Sequence, residues 1–128
     1  YNIKRLKKFE KDVEQQKNDL NKILKQIKQR GEKIVGVGAP AKGMTLLNYC
    51  QIGKNHLEYL TEKSPLKIGK FCPGMHIPVT TDEKLLEEKP EFAMILAWNF
   101  AEEIINNLKE YQESGGKFLI PIPTPKIV

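Results

Sequence analysis

The sequence is poor in the residues that build covalent or metal-bound frameworks. It has two cysteines, Cys50 and Cys72, and two histidines, His56 and His76, in 128 residues. Two cysteines close at most one bridge, so a disulfide scaffold is excluded and a reducing, cytoplasmic setting is expected. The same four side chains are unevenly spaced and form no metal-ligand pattern. No Ser/His/Asp or Cys/His arrangement is suggested by spacing, and Cys50 reads as a core residue on a helix. No apolar run approaches the roughly 20 residues of a transmembrane helix, and no signal-peptide core is present, so no membrane role is expected. There is no internal repeat and no low-complexity segment. Between residues 2 and 30 there is neither Gly nor Pro.

What is present is an ordinary globular composition, 40% apolar and 29% charged. The length suits one domain. The net charge of +5 is unevenly placed. Residues 1–31 hold ten Lys/Arg and four Asp/Glu, a net of +6, and residues 32–128 hold eleven and twelve, a net of −1. The basic excess belongs to one segment, which argues against a nucleic-acid-binding body. The chain starts at Tyr1 rather than Met, as expected of a piece of a longer protein.

Residues 2–30 are dense in Lys, Gln, Glu and Leu, all good helix formers. Leu6, Phe9, Val13, Leu20, Ile23 and Ile27 form a narrow apolar stripe, interrupted at Gln16, and Gly31 is a stop signal. The stripe can pack on the body, on a preceding domain, or on a second copy in a homo-oligomer. After this helix the period changes. Lys33-Ile-Val-Gly-Val-Gly38 reads as a buried strand, Ala39–Gln51 as a helix and Leu57–Thr61 as a second strand. Pro and Gly crowd residues 62–80, with a doubtful strand at His76–Val79. Thr81 or Asp82 can cap a helix through Glu88. Phe92–Ala97 is a further strand, Asn99 can cap a helix from Phe100 to about Ser114, and Phe118–Ile122 is the last strand. Strands alternating with helices predict an α/β, doubly wound, Rossmann-like sheet, mostly parallel, of four to five strands. The organisation expected is a basic connecting helix at 1–31 and a Rossmann-like domain at 32–128.

The informative motif is Gly36-Val-Gly38-Ala-Pro-Ala41-Lys-Gly43, which follows a strand and opens a helix. It satisfies G-x-G-x-x-A. Gly36 would permit the tight turn, and Gly38 would let a phosphate approach the backbone. Ala41 would let the helix pack closely, and Pro40 fits the first helical turn. Free N–H groups at the helix start favour an anion, with Lys42 nearby. Glu62, 24 residues beyond Gly38, sits where dinucleotide enzymes hold a ribose hydroxyl. A glycine-rich turn that binds nothing is the competing reading, and Lys42 preceding Gly43 rules out a Walker A loop. In an open sheet the cleft forms where strand order reverses. That places Trp98, able to stack on a base or sugar, and Asn99, able to give two hydrogen bonds, beside the first turn. Alternatively, Trp98 packs under the loop and Asn99 only caps the helix. His76 can contact a phosphate or act as acid/base, or be an ordinary loop residue.

The runs Gly36–Cys50, Ser64-Pro-Leu-Lys-Ile-Gly69, Pro73–Val79, Leu96-Ala-Trp-Asn-Phe100 and Gly115–Pro123 together resemble the C-terminal domain of the S-adenosylmethionine-dependent sugar C-methyltransferases. The resemblance covers about residues 33–128. It implies a Rossmann-like, substrate-side domain of an enzyme acting on a nucleotide-linked deoxysugar. It also implies that zinc and S-adenosylmethionine are held by other domains, so that the chain carries no cofactor and is inactive alone. Gly38, Ala39 and Lys42 would face the diphosphate or sugar, and Trp98, Asn99 and His76 would shape the cleft. The family usually shows Asp where Glu62 stands, Asn where Ser64 stands and often Tyr where Val37 stands. Two other functions stand beside this one: a Rossmann-shaped module that binds nothing and closes a site or dimerises, and an NAD-binding domain.

Overall fold

A computed structural model describes residues 3–38, 40–62, 77–122 and 125–128. The Gly- and Pro-free segment forms α1 (Ile3–Gln29). It ends where Gly31 takes a positive φ of 73°. Glu32 N then donates to Ile27 O, and Gly31 N donates to Lys28 O, which satisfies the last carbonyls of the helix. After Lys33 the chain forms β1 (Ile34–Val37), buried along its whole length.

The remaining elements follow in alternation: α2 (Ala41–Cys50), β2 (Leu60–Thr61), β3 (Val79–Thr80), α3 (Asp82–Glu88) and β4 (Phe92–Ile95). After a 3-10 turn at Trp98–Phe100 come α4 (Ala101–Asn107), α5 (Lys109–Glu113), β5 (Lys117–Ile120) and β6 (Lys126–Ile127). The sheet order is β3-β2-β1-β4-β5-β6. The first five strands are parallel, and β6 runs antiparallel to β5. This is the expected doubly wound Rossmann-like α/β arrangement, with one strand more than the sequence reading counted. β6 escaped that reading because it is two residues long, exposed, and lies in a proline-rich tail.

Alternation along the strands divides the core in two. Ile34, Phe92, Met94, Leu96 and Leu119 point to the face covered by α1 and α2. Val35, Val37, Ala93, Ile95 and Phe118 point to the face covered by α3, α4 and α5. On the first face, Leu20, Leu24 and Ile27 anchor the end of α1 at 1% exposure each. Of the three possible destinations for the stripe, its C-terminal part takes the body. Leu24, not assigned to the stripe from spacing, is as deeply buried as Leu20. On the second face, the Tyr111 hydroxyl donates to Pro90 O at 2.7 Å, and its ring meets Phe118 edge-on with centroids 5.4 Å apart.

The expected helix 100–114 is broken at Leu108, whose φ and ψ are −108° and 29°. Asn106 and Asn107 are poor helix formers, and the break lets Leu108 and Tyr111 both reach the sheet. Asn99 does not cap this helix. It lies inside the 3-10 turn, and Phe100 occupies the cap position of α4. Thr81 does occupy the cap position of α3, without a side-chain capping bond.

Leu24→Ala should lower the unfolding free energy by about 2–5 kcal/mol through cavity formation. Exposed Lys25→Ala should change it by less than about 0.5 kcal/mol. Urea denaturation followed by circular dichroism compares the two. Tyr111→Phe, which orphans the Pro90 carbonyl, should cost about 1–3 kcal/mol in the same assay.

Candidate functional site

The chain runs outward from β1 through β2 to β3, then returns to place β4 on the other side of β1. The carboxyl ends of β1 and β4 therefore diverge, and a cleft of about 330 Å³ opens there. Its floor is Val37, Gly38 and Thr61. One wall is Phe100, Ile104, Asn107 and Leu108, which recur at helical spacing along the segment after β4. Pro40 and Ala97 close one end, and Glu62, Asp82 and Glu103 bring carboxyl groups to the lining.

The glycine motif works here differently from its fingerprint. Gly36 makes no turn. It lies within β1, where an added Cβ would stand 2.5 Å from Leu60 Cδ2 and 3.0 Å from Leu96 Cδ1. Its lack of a side chain thus makes room for the core. The turn is made by Gly38, whose φ is +87°, and whose N–H donates to Thr61 O at 2.7 Å. Close packing of α2 falls to Gly43, where a Cβ would stand 2.9 Å from Leu96 Cβ and 3.2 Å from Leu96 O. Pro40 takes the N-cap position of α2 with an extended φ and ψ, and its carbonyl accepts from Met44 N.

Of the residues singled out from sequence, Gly38 and Glu62 line the cleft. Lys42 is exposed on the first turn of α2 and does not line it. Trp98 is half-buried and Asn99 exposed, both outside the lining, while their neighbours Ala97 and Phe100 take part. Ala39 and His76 lie outside the described residues. Sequence reasoning missed Thr61, Asp82, Phe100, Glu103, Ile104 and Asn107. The spacing of Phe100, Glu103, Ile104 and Asn107 on one helical face was a usable signal.

Thr61 is fully buried, and its Oγ1 has no hydrogen-bond partner among the described residues. An unpaired buried hydroxyl costs about 1–3 kcal/mol. Glu62, by contrast, is already engaged. None of the described lining residues is Lys, Arg or His; among them the walls are apolar and the charged groups acidic.

At the opposite end of the sheet a smaller hollow of about 230 Å³ gathers Lys28, Lys33, Lys54 and His56. Burial, and then the Lys28 charge, hold the His56 imidazole below its ordinary 6.5. Burial also pushes the Cys50 thiol up, as expected of a core cysteine. Among the described residues no group of three or more His, Cys, Asp or Glu could hold a metal ion, and no helix is long and apolar enough to cross a membrane.

Gly38→Ala should destabilise the chain by about 1–2 kcal/mol through its positive φ. Gly38→Asn should recover part of that loss, as measured by chemical denaturation. Because its folded pKa is depressed, neutral His56 contributes stability that is present above 6.5 and lost as pH falls through the folded value. An NMR titration should place its midpoint below 6.5, with melting temperature falling over the same range.

Comparison with known families matches residues 1–123 to the C-methyltransferase C-terminal domain. The match takes in α1 and the strands β1 to β5. A curated relative, the C-methyltransferase NovU of Streptomyces niveus, is 34% identical over 122 residues. That alignment covers 95% of this chain and 29% of the relative, so the chain spans less than a third of the relative's length. The chain belongs to the C-methyltransferase C-terminal domain family.

Proposed function

We propose that this chain is the substrate-side domain of a cytoplasmic, S-adenosylmethionine-dependent C-methyltransferase of deoxysugar biosynthesis, acting on a nucleotide-linked deoxysugar. The observation that carries this reading is the cleft at the carboxyl ends of β1 and β4, bordered by the Gly38 turn, in a chain of this family. S-adenosylmethionine would supply the methyl group, and it and zinc are expected in domains outside this chain, with the preceding methyltransferase domain as partner.

This chain's own part is to bind and orient. The diphosphate would lie against the first turn of α2, where free backbone N–H groups and the helix dipole favour an anion. Exposed Lys42 adds charge on that turn. Gly38 lets the ligand approach the turn closely, and Glu62 offers an acceptor for a hydroxyl. Ala39, His76, Trp98 and Asn99 remain candidates for the border. Holding the reacting carbon in one orientation lowers the barrier without any covalent step in this domain.

The acidic lining supports a second reading. A lining that includes Glu62, Asp82 and Glu103 suits a module that closes a neighbouring site or dimerises and binds no anion. The two readings separate in the full-length enzyme. Lys42→Ala should raise KM for the nucleotide sugar several-fold and leave kcat nearly unchanged, since an exposed lysine that only binds is lost equally from ground and transition states. Steady-state kinetics with unchanged KM and kcat would favour the second reading.

A further inference from the structure

We propose that the cleft takes an uncharged, hydroxyl-bearing ring, and that Thr61 on its floor is a specificity-determining contact to one ring hydroxyl. This rests on the reading that the chain handles a nucleotide-linked sugar, and assigns the cleft to one of its rings instead of to its diphosphate.

Among the described residues Thr61 is the one polar or charged side chain in the buried set. Its cross-strand neighbours are Val37, which is buried, and Thr80, which is half-buried. Valine has the shape of threonine, so packing alone would be served by Val at position 61. The hydroxyl there is buried and has no partner among the described residues. Register sets its direction. Leu60 lies opposite Gly36 and belongs to the α1/α2 face, so Thr61, opposite Val37, points to the other face. That is the side on which Ile104 and Leu108 wall the cleft. A turn of about 120° in χ1 carries the hydroxyl of a threonine to one of the other two positions on Cβ.

The rest of the lining selects the same chemistry. The carboxylates of Asp82 and Glu103 at the lining suit hydroxyl or ring N–H donors and disfavour phosphate. Phe100 stands 62% exposed at the lining and offers an aromatic face to cover a ring. A volume of about 330 Å³ is at the small end for ligand sites, fitting one ring system better than a whole nucleotide sugar. The hydroxylated ring can be the nucleoside or the deoxyhexose.

The test uses the full-length enzyme with labelled Ile and Leu methyl groups. It is titrated separately with thymidine, a methyl 6-deoxyhexoside and inorganic pyrophosphate. At least one uncharged probe should shift the Ile104 and Leu108 methyl signals, and whichever does so identifies the ring. Pyrophosphate should leave those signals in place. Thr61→Val should weaken binding of that probe by about fivefold or more while melting no lower than wild type, and Thr61→Ser should bind within about twofold. The assignment is overturned if neither ring probe moves the signals, if pyrophosphate moves them equally, or if Thr61→Val keeps wild-type affinity. Methyl transfer to nucleotide sugars is assayed in parallel. Ring binding without methyl transfer would overturn the functional reading and leave the cleft assignment standing. Methyl transfer without ring binding would overturn the cleft assignment alone.

Discussion

The fold depends on four residues, Ile34–Val37, being buried on both faces at the centre of a parallel sheet. A strand in that position must satisfy its backbone on both sides at once. β1 does so by pairing with β4 from Ile34 to Val37 and with β2 at Gly36 and Val37. Its side chains must also feed two cores. Ile34 goes to one, and Val35 and Val37 go to the other. Gly36 contributes no side chain, and Leu60 and Leu96 approach across the space that a Cβ would occupy. The α1/α2 face is therefore closed over β1 by leucines from its two neighbours.

The same strand creates the cleft. Connections leaving β1 and β4 go to opposite faces, α2 to one and α4 to the other, so the gap between their ends lies between the two helix layers. Gly38 turns the chain away at a positive φ, and Gly43 lets α2 settle against Leu96. The cleft is lined from the opposite side by the first turns of the helix after β4. Its electrostatic character follows from which residues the topology gathers. The basic excess of the chain lies in α1, on the other face, and three carboxylates lie at the cleft. The overall positive charge thus says nothing about the site.

Much of the fold was legible because it is written in local signals. The Gly- and Pro-free run, the Gly31 stop, the β-branched runs and the Gly115-Gly116 stop each correspond to an element or its end. The doubtful strand near Val79 proved real, since β2 needs a partner on its outer side. β6 was illegible because an exposed two-residue strand has no hydrophobic period, and its existence rests on pairing with β5. The break at Leu108 was hidden because 100–114 keeps helical spacing across it. At the site, the region was legible, and of the residues singled out Gly38 and Glu62 line the cleft. The loops after β1 and β4 do meet, and there Ala97 and Phe100 line the cleft while Trp98 and Asn99 lie outside the lining. A one- or two-residue shift along a 3-10 turn changes which side chain faces inward, and spacing alone does not register it.

The sequence by itself determined the class of the fold, the order of its main elements and the place of its turn, because hydrophobic period and glycine act within a few residues. It also carried the motifs by which the family was recognised. Tertiary structure alone decided what each glycine is for and which side chains share the cleft. It also decided that Thr61 lies buried beside Val37. Those outcomes depend on register between strands and on distances across the sheet, which join residues far apart in the chain. A fingerprint of G-x-G-x-x-A fixes spacing along one segment. Whether a glycine in it turns the chain, admits a leucine or seats a helix depends on what the opposite strand places against it.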